Sequence, residues 1–424
     1  MKRAVFLDRD GTITKDDNYF SSYDQIRFVD GLAESIRILN GNFLVILITN
    51  QPVVARGLCS EDDVKAMNDR IIEELDKQGA RIDGAYFCPH HPEQHDDVPE
   101  HAKKYRVECS CRKPGIAMIE QAAKDFGVDV GNSFFIGDST RDVQAAKNAG
   151  CTSILIMTGL AGKDGKYDAV PDYKCTDLRE AASLVNDFAN LKAVILAGGK
   201  GERLRPLTIE TPKPMLKIAG KPILEHQIKA LKRSGVDKIV LCTSYLSAKI
   251  KDYFGDGSRF GVKIEYPEEP EGLGSGGAVK NSGEFLKDAS YFIIINGDSM
   301  IDEKFDLRPL IRCHIRKNAF ATLFVRESDH PMDSDVLRMD ENGKITEFIG
   351  RGQVAEKLAN TGMTVCSQEL LQYIPGGSCN IEKDVLFKLI DKKDLYGFMM
   401  PKEWFKKGVD TLERLESVRM YFGD

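Results

Sequence analysis

Val5-Phe6-Leu7-Asp8-Arg9-Asp10-Gly11-Thr12 carries an apolar run straight into two carboxylates and a glycine. A short apolar run without polar alternation, cut off by turn residues, reads as a strand buried on both faces, the kind found in parallel sheets. Such sheets bind ligands beyond the carboxyl ends of their strands, which is where Asp8 and Asp10 fall. Two carboxylates this close repel one another unless a cation is shared between them. Asp and Gly are also common wherever a strand enters a turn, so the stretch alone leaves a site and a plain turn both open.

The surrounding sequence repeats the pattern. Residues 4–7, 43–49, 85–88, 133–136 and 152–157 read as buried strands. Residues 60–78, 115–126 and 141–149 read as helices, with Ser60 and Ser139 or Thr140 as N-caps. Gly159, Gly162, Gly165 and Pro171 mark loops, 177–189 is a last amphipathic helix, and a second series then begins at 192–196. Further strands are expected at 238–242, 262–266, 291–296 and 319–325, and helices at 223–234, 247–254 and 307–317. Strands alternating with helices imply sheets covered on both faces. The expectation is an α/β chain of two Rossmann-like domains, residues 1–190 and 191–424.

Composition agrees with two ordinary globular domains. The 424 residues hold 59 Lys+Arg against 65 Asp+Glu, a net charge of -6, with 42% hydrophobic and 29% charged residues. Without basic blocks, nucleic acid is not the expected partner. No apolar run reaches the roughly 18 residues of a membrane span, and the N-terminus is no signal peptide. A cytoplasmic location is the default, and most of the ten cysteines read as buried reduced thiols.

Three more segments add chemistry to the first half. Ile48-Thr49-Asn50-Gln51 ends a strand with a hydroxyl and an amide, Cys111-Arg112-Lys113-Pro114 supplies two cations before a helix, and Gly137-Asp138-Ser139-Thr140-Arg141-Asp142 ends another strand with two carboxylates. Together these segments and Asp-x-Asp-Gly-Thr resemble the four motifs of the haloacid dehalogenase superfamily of phosphatases, in order, over roughly residues 1–187. The resemblance implies that Asp8 is a nucleophile forming an aspartyl-phosphate and that Asp10 is the general acid and base. It implies Mg2+ on Asp8, the Asp10 carbonyl and Asp138, with Thr49 and Lys113 holding phosphoryl oxygens. Asp142 would orient Lys113 or be a solvated first-turn residue. The short span from Gln51 to Cys88 leaves no room for a large cap domain. Substrate contacts are expected from Asn50, Arg112 and the loop at 16–23.

Cys88-Pro89-His90 and Cys109-Ser110-Cys111 flank 18 largely polar residues. Three thiolates and one imidazole match a closed tetrahedral zinc site, and ligation would order a loop that has no core of its own. His91, His95 and His101 lie in the same loop; the tighter Cys-x-His pair favours His90. The loop narrows the resemblance to the zinc-containing phosphatases that act on D-glycero-D-manno-heptose 1,7-bisphosphate or on histidinol phosphate.

In the second half, Leu196-Ala197-Gly198-Gly199-Lys200-Gly201-Glu202-Arg203 follows a strand. Glycines there let backbone amides approach phosphate closely. It is not a Walker A loop, because no Lys-Ser/Thr follows. With Thr211-Pro212-Lys213-Pro214, the segment Glu271–Ala278, Asn296-Gly297-Asp298, Asn360-Thr361-Gly362 and Ile381-Glu382-Lys383-Asp384, it resembles the sugar-1-phosphate nucleotidyltransferases (GT-A-like fold) over about 192–424. The resemblance implies that Leu196, Ala197, Gly198, Gly199 and Gly201 bind nucleotide and that Gly274, Asn360 and Glu382 contact substrate. Arg203 and Lys213 would neutralise phosphates, and Asp298 would hold Mg2+. Two departures stand out. Gly408 falls where the family's Asp-x-Gly-Thr places a second metal ligand, with Asp410 displaced by two, and Gly350-Arg351-Gly352 replaces a sugar-contacting Glu-Lys.

The fusion discriminates between substrates. A heptose bisphosphate that loses its distal phosphate keeps the anomeric phosphate a nucleotidyltransferase needs; histidinol phosphate does not. The expected partners are sugar phosphates and an NTP, with GTP and GDP-D-glycero-α-D-manno-heptose favoured by the resemblance. Another sugar phosphate, or a C-terminal half that senses a nucleotide sugar without turning it over, stays open.

Overall fold

The computed structural model describes residues 2–15, 20–93, 99–268, 272–328, 336–350 and 358–424. The chain divides into two compact units, Met1–Ala189 and Asn190–Asp424.

The first unit runs β1 (Ala4–Leu7), α1 (Leu32–Asn40), β2 (Leu44–Asn50), α2 (Glu61–Asp76), β3 (Gly84–Cys88), α3 (Glu100–Lys103), α4 (Ala117–Phe126), β4 (Phe134–Gly137), α5 (Thr140–Ala149), β5 (Thr152–Ile156), β6 (Tyr173–Cys175) and α6 (Leu178–Ala189). Its six strands lie in the order β3-β2-β1-β4-β5-β6, with every pairing parallel. β1, β4 and β5 are buried along their whole length, which explains their unbroken apolar runs. Ser60 and Ser139 cap α2 and α5 in reciprocal capping boxes with Asp63 and Asp142. The strand order reverses between β1 and β4. Both strands end there in carboxylates, Asp8 and Asp138, so the switch point gathers the motifs.

The second unit runs β7 (Lys192–Leu196), β8 (Lys217–Ile218), β9 (Lys221–Pro222), α7 (Ile223–Arg233), β10 (Lys238–Cys242), α8 (Ser247–Phe254), β11 (Lys263–Glu265), α9 (Gly274–Asn281), β12 (Tyr291–Asn296), β13 (Ser299–Ile301), α10 (Arg308–Arg316), β14 (Ala321–Glu327), β15 (Val336–Met339), β16 (Ile345–Gly350), β17 (Leu358–Ser367), α11 (Leu370–Tyr373), a π-helical turn Ile381–Leu386, α12 (Phe387–Leu389), β18 (Leu395–Met399), β19 (Lys406–Gly408) and α13 (Leu412–Phe422). The main sheet follows β11-β10-β7-β12-β17-β14-β18. β17 is antiparallel to both neighbours, so this sheet is mixed. The segment Gly274–Asn281 is helical despite its glycines. At Gly276 a Cβ would lie 2.6 Å from the Cys379 sulfur, so close packing on the Cys379 segment explains that residue.

Among the described residues no helix is long and apolar enough to cross a membrane.

Candidate active sites and metal centre

At the β1/β4 switch point, Asp8, Asp138 and Asp142 bring carboxylate oxygens within 4.8 Å of one another. Lys113 enters from the loop before α4, 2% exposed, and pairs with Asp8 Oδ1 at 2.8 Å and Asp142 Oδ1 at 2.7 Å. The other oxygen of Asp142 accepts from the Ser139 hydroxyl at 2.6 Å. Both Asp142 oxygens are therefore committed, and its part is to hold Lys113; the reading of a solvated residue fails, because Asp142 is only 1% exposed. Asp138 Oδ2 accepts from the Leu160 amide at 2.7 Å. Gly11, at a positive φ of 81°, passes so close that a Cβ would lie 2.2 Å from that oxygen.

This is three carboxylates, Asp138 and Asp142 buried and Asp8 largely so, against one ammonium. Burial, then the neighbouring Asp142, pushes Asp8 up to about 6. Burial, then Asp142 and Asp8, pushes Asp138 up to about 8. Asp142 is held below the ordinary carboxylate range despite its burial because Lys113 faces it. A divalent cation on Asp8 and Asp138 would supply the missing positive charge, so the donor set fits Mg2+.

Beside it, Arg9 is fully buried and grips both oxygens of Asp10, from Nε at 2.8 Å and Nη2 at 3.1 Å, while Nη1 donates to Asn68 Oδ1 at 3.1 Å. Gln51 Nε2 donates to Asp10 Oδ2 at 2.7 Å and to the Thr49 hydroxyl at 2.9 Å. Asn50 clasps the Lys113 backbone, accepting from its amide at 2.9 Å and donating to its carbonyl at 3.2 Å. Arg112 Nη1 donates to the His90 carbonyl at 3.0 Å. The supporting roles of Arg9, Gln51 and Asn68 were not read from the sequence; a cation wedged between two aspartates was the available signal for Arg9.

Cys88, His90, Cys109 and Cys111 converge on one point. Their sulfurs are 3.2–3.6 Å apart, and His90 Nδ1 lies 3.7 Å from Cys88 and 3.4 Å from Cys111. Tetrahedral zinc ligands stand roughly 3.5–3.8 Å apart, so the set fits zinc within a few tenths of an ångström. His91 instead accepts from the Glu93 amide at 3.2 Å; His95 lies outside the described residues, as do residues 16–19 of the candidate substrate loop.

In the second unit the glycine loop follows β7 and Asp298 follows β12, again at a switch point. A cavity of about 630 Å³ is lined by Leu196, Gly198, Gly199, Gly274 and Asn296, among others. Ala197 is buried beside it, and the Gly201 carbonyl accepts from the Thr208 hydroxyl at 2.8 Å. Lys213 pairs with Asp298 at 2.5 Å, and Arg203 with Asp410 Oδ2 at 2.9 Å. Asp410 Oδ1 accepts from Arg414 at 2.8 Å, so both its oxygens face guanidinium groups. Asn360 Nδ2 donates to Glu382 at 2.7 Å. Arg351, Gly352 and Glu271 lie outside the described residues. Lys406, absent from the sequence reading, is 4% exposed and donates to the Ser299 hydroxyl at 3.0 Å and to the Thr361 carbonyl. Burial pulls it down to about 7, against the pull of Asp298.

The comparisons separate along the same division. The nucleotidyl transferase model matches residues 192–410, and the HAD-hydrolase-like model matches 110–181. Over 148 residues the chain is 50% identical to a D-glycero-beta-D-manno-heptose-1,7-bisphosphate 7-phosphatase of Rhodopseudomonas palustris, covering 35% of this chain and 79% of the relative. It is 36% identical over 237 residues to a UTP--glucose-1-phosphate uridylyltransferase of Synechocystis, covering 51% of this chain and 60% of the relative. A mannose-1-phosphate guanylyltransferase of Mycobacterium tuberculosis is 34% identical over 51% of this chain and 60% of its own length. The chain thus spans less than two thirds of either transferase relative. On these matches the chain belongs, through its second unit, to the nucleotidyl transferase family and, through its first, to the family of the heptose-1,7-bisphosphate 7-phosphatases.

Proposed function

We propose that the chain is a bifunctional enzyme of nucleotide-activated heptose synthesis. The first unit hydrolyses the 7-phosphate of D-glycero-D-manno-heptose 1,7-bisphosphate, and the second transfers GMP from GTP to the heptose 1-phosphate. The observation that carries this is the union of two families in one chain: the phosphate the first reaction spares is the one the second requires.

In the first reaction Asp8 attacks the phosphorus. Its Oδ1 is taken by Lys113 and the Arg9 amide, which leaves Oδ2 for the new bond. The ester bond breaks, and Asp10 gives its proton to the sugar oxygen. Asp10 then takes a proton from water, which displaces Asp8 and releases orthophosphate. Lys113 and Thr49 steady the phosphoryl oxygens. Mg2+ held by Asp8, the Asp10 carbonyl and Asp138 would neutralise phosphoryl charge. Asn50 acts through the Lys113 backbone, and Arg112 joins the zinc loop to the cleft. Cys88, His90, Cys109 and Cys111 would hold a structural Zn2+, which would tie together both ends of the polar loop.

In the second reaction an oxygen of the sugar 1-phosphate attacks the α-phosphorus of the nucleotide, and pyrophosphate leaves. The Leu196–Gly201 backbone and Gly274 cradle the nucleotide, while Arg203 and Lys213 neutralise its phosphates. Asn360 and Glu382 face the sugar, and Asp298 would hold Mg2+, which supplies further charge neutralisation. Guanylyltransferase kinship supports GTP; the uridylyltransferase kinship motivates UTP as the second reading.

The test supplies each anomer of heptose 1,7-bisphosphate with each NTP in turn and identifies products by mass. Orthophosphate and GDP-heptose are expected. UDP-heptose would move the base assignment, and neither orthophosphate nor an activated sugar would overturn the reading.

A further inference from the structure

Lys406 is a lysine where the fold gives a charge little reason to be. It lies on β19, which pairs with β13 so that Ser299 faces Gly408 and Ile301 faces Lys406. Its side chain reaches back along this ribbon to Ser299, the residue after Asp298, and across to the Thr361 carbonyl on β17. Three segments thus meet at one Nζ: the end of the β12 turn, β17 and β19. The carbonyl of Lys406 itself accepts from Arg326 Nη1 at 3.0 Å, which ties β14 to the same point. The turn itself has other anchors, the Gln227 amide donating to the Ser299 carbonyl at 2.8 Å and to the Asn296 carbonyl at 2.9 Å and the Val409 amide donating to the Asp298 carbonyl at 2.9 Å; Lys406 is the side chain that joins this turn to the Thr361 carbonyl of β17. Gly408 has no side chain, and nothing lies within 4 Å of where its Cβ would be. Asp410 is turned to Arg203 and Arg414.

Burying a lysine is costly unless its donors are taken up and its charge is compensated. Here a carbonyl and a hydroxyl take donors, and Asp298 and Glu382 are the acidic groups whose fields reach it, with Arg326 opposing. Those two acids belong to the two halves of the transfer site: Asp298 stands with Lys213, and Glu382 with Asn360.

We propose that Lys406 is a positioning residue of the transfer site, a buried tether that fixes the Asp298–Ser299 turn against the Asn360–Gly362 strand and so sets the acceptor sugar against the nucleotide. It does not touch substrate. The proposal rests on the transferase reading for its kinetic consequence but not for the tether itself. Displacing a reacting group by about 1 Å costs on the order of 10²-fold in rate, so a modest slackening here is readable.

The experiment uses the full chain with Lys406→Met and Lys406→Arg. Lys406→Met keeps much of the length and removes donors and charge; Lys406→Arg restores both. Amide hydrogen exchange without substrate reads the tether directly. In Lys406→Met, protection should fall at 298–300 and 360–362 while the β7–β10 pairing keeps its own, and Lys406→Arg should recover part of the loss. With substrates, the KM for the sugar 1-phosphate should rise by about tenfold or more and kcat should fall, while nucleotide affinity stays within about twofold. Unchanged exchange at both segments overturns the tether. Sugar and nucleotide binding falling in step, with protection lost across the whole sheet, also overturns it by reducing Lys406 to a general stabiliser. If Lys406→Met does not fold, the same comparison is read from Ser299→Ala, which removes the hydroxyl that accepts from Lys406: a KM change confined to the sugar supports the proposal and none overturns it. A wild-type chain that transfers nothing to any sugar phosphate sinks the functional reading instead, and hydrogen exchange still decides the tether.

Discussion

The two sites occupy equivalent places in their sheets and are built on opposite electrostatic plans. At the first, Lys113, Asp138 and Asp142 are at most 2% exposed, and Lys113 locks Asp8 to Asp142. At the second, the Arg203 side chain is 69% exposed and the Asp298 side chain 30%. The difference follows from the chemistry each site is asked to perform. A carboxylate nucleophile forms a covalent bond to phosphorus, and its partners must already be desolvated and fixed when substrate arrives. Nucleotidyl transfer brings its own dense charge in the triphosphate. Its cations can wait in pairs, the half-buried Lys213 with Asp298 and the exposed Arg203 with Asp410, and exchange those partners for phosphate oxygens.

Asp8→Asn breaks the comparison most sharply. It removes the nucleophile and leaves the cluster's size unchanged, so orthophosphate release should fall on the order of 10⁴- to 10⁶-fold. Pyrophosphate release from heptose 1-phosphate and GTP should be unchanged in the same preparation. Loss of both activities together would mean the units do not work as independent sites.

Charge removal separates the plans next. Arg203→Ala should cost transfer on the order of 10²- to 10³-fold, yet change stability by less than about 1 kcal/mol, because its pair with Asp410 is solvent-screened. Lys113→Met should do the reverse in kind. It leaves Asp8 and Asp142 buried without their ammonium, at about 3–5 kcal/mol of stability, besides abolishing phosphate release. Thermal unfolding beside both activity assays checks the pair. An Arg203 variant that loses as much stability as the Lys113 variant would refute the distinction.

The buried cluster also predicts a pH dependence. Asp8 and Asp138 are raised from an ordinary value of 3.8 to about 6 and about 8 by burial and by their carboxylate neighbours. The folded chain therefore holds more protons than the unfolded chain between those values, and stability falls as pH rises from about 4 to about 8. Asp142 acts oppositely: its pairing with Lys113 is lost only as pH drops below the ordinary carboxylate range. In buffer free of Mg2+, with zinc left in place, the first unit should lose stability across pH 4–8. Added Mg2+ should flatten that slope, because it favours the ionised carboxylates. A flat profile without Mg2+ would mean the carboxylates are solvated in a way the packing does not show.

How far the sequence foretold these sites follows from the same contrast. Runs such as 4–7 and 193–196 are apolar because they are buried centrally, so strands and switch points were legible. Motif residues sit at strand ends, where position follows from the strand itself. Less legible was whatever depends on residues distant in sequence. β17 mixes Asn360, Thr361 and Thr364 among its apolar residues and becomes a strand by antiparallel pairing on both sides. α9 looks like loop by composition, and its close packing is visible only once Cys379 is beside it. The grip of Arg9 on Asp10, completed by Asn68 fifty-nine positions away, could not be read from spacing.

Asp410 gives the smallest expected effect and the finest test of the contrast. From the sequence it stands two positions from the place of a second metal ligand. In the folded chain its Oδ2 meets Arg203 and its Oδ1 meets Arg414, at 2.9 and 2.8 Å, an arrangement suited to parking an arginine rather than to coordinating a cation. Asp410→Asn keeps the shape and weakens both pairs. If parking is its role, freeing Arg203 for the triphosphate should leave the Mg2+ concentration for half-maximal transfer within about twofold, since screened pairs of this kind are worth about 1 kcal/mol or less, and should lower the KM for nucleotide slightly. If Asp410 swings to the metal during turnover, half-activation should instead shift upward by tenfold or more. A Mg2+ titration of transfer at fixed nucleotide distinguishes the two, and the larger shift would make the open site more preorganised than its resting geometry implies.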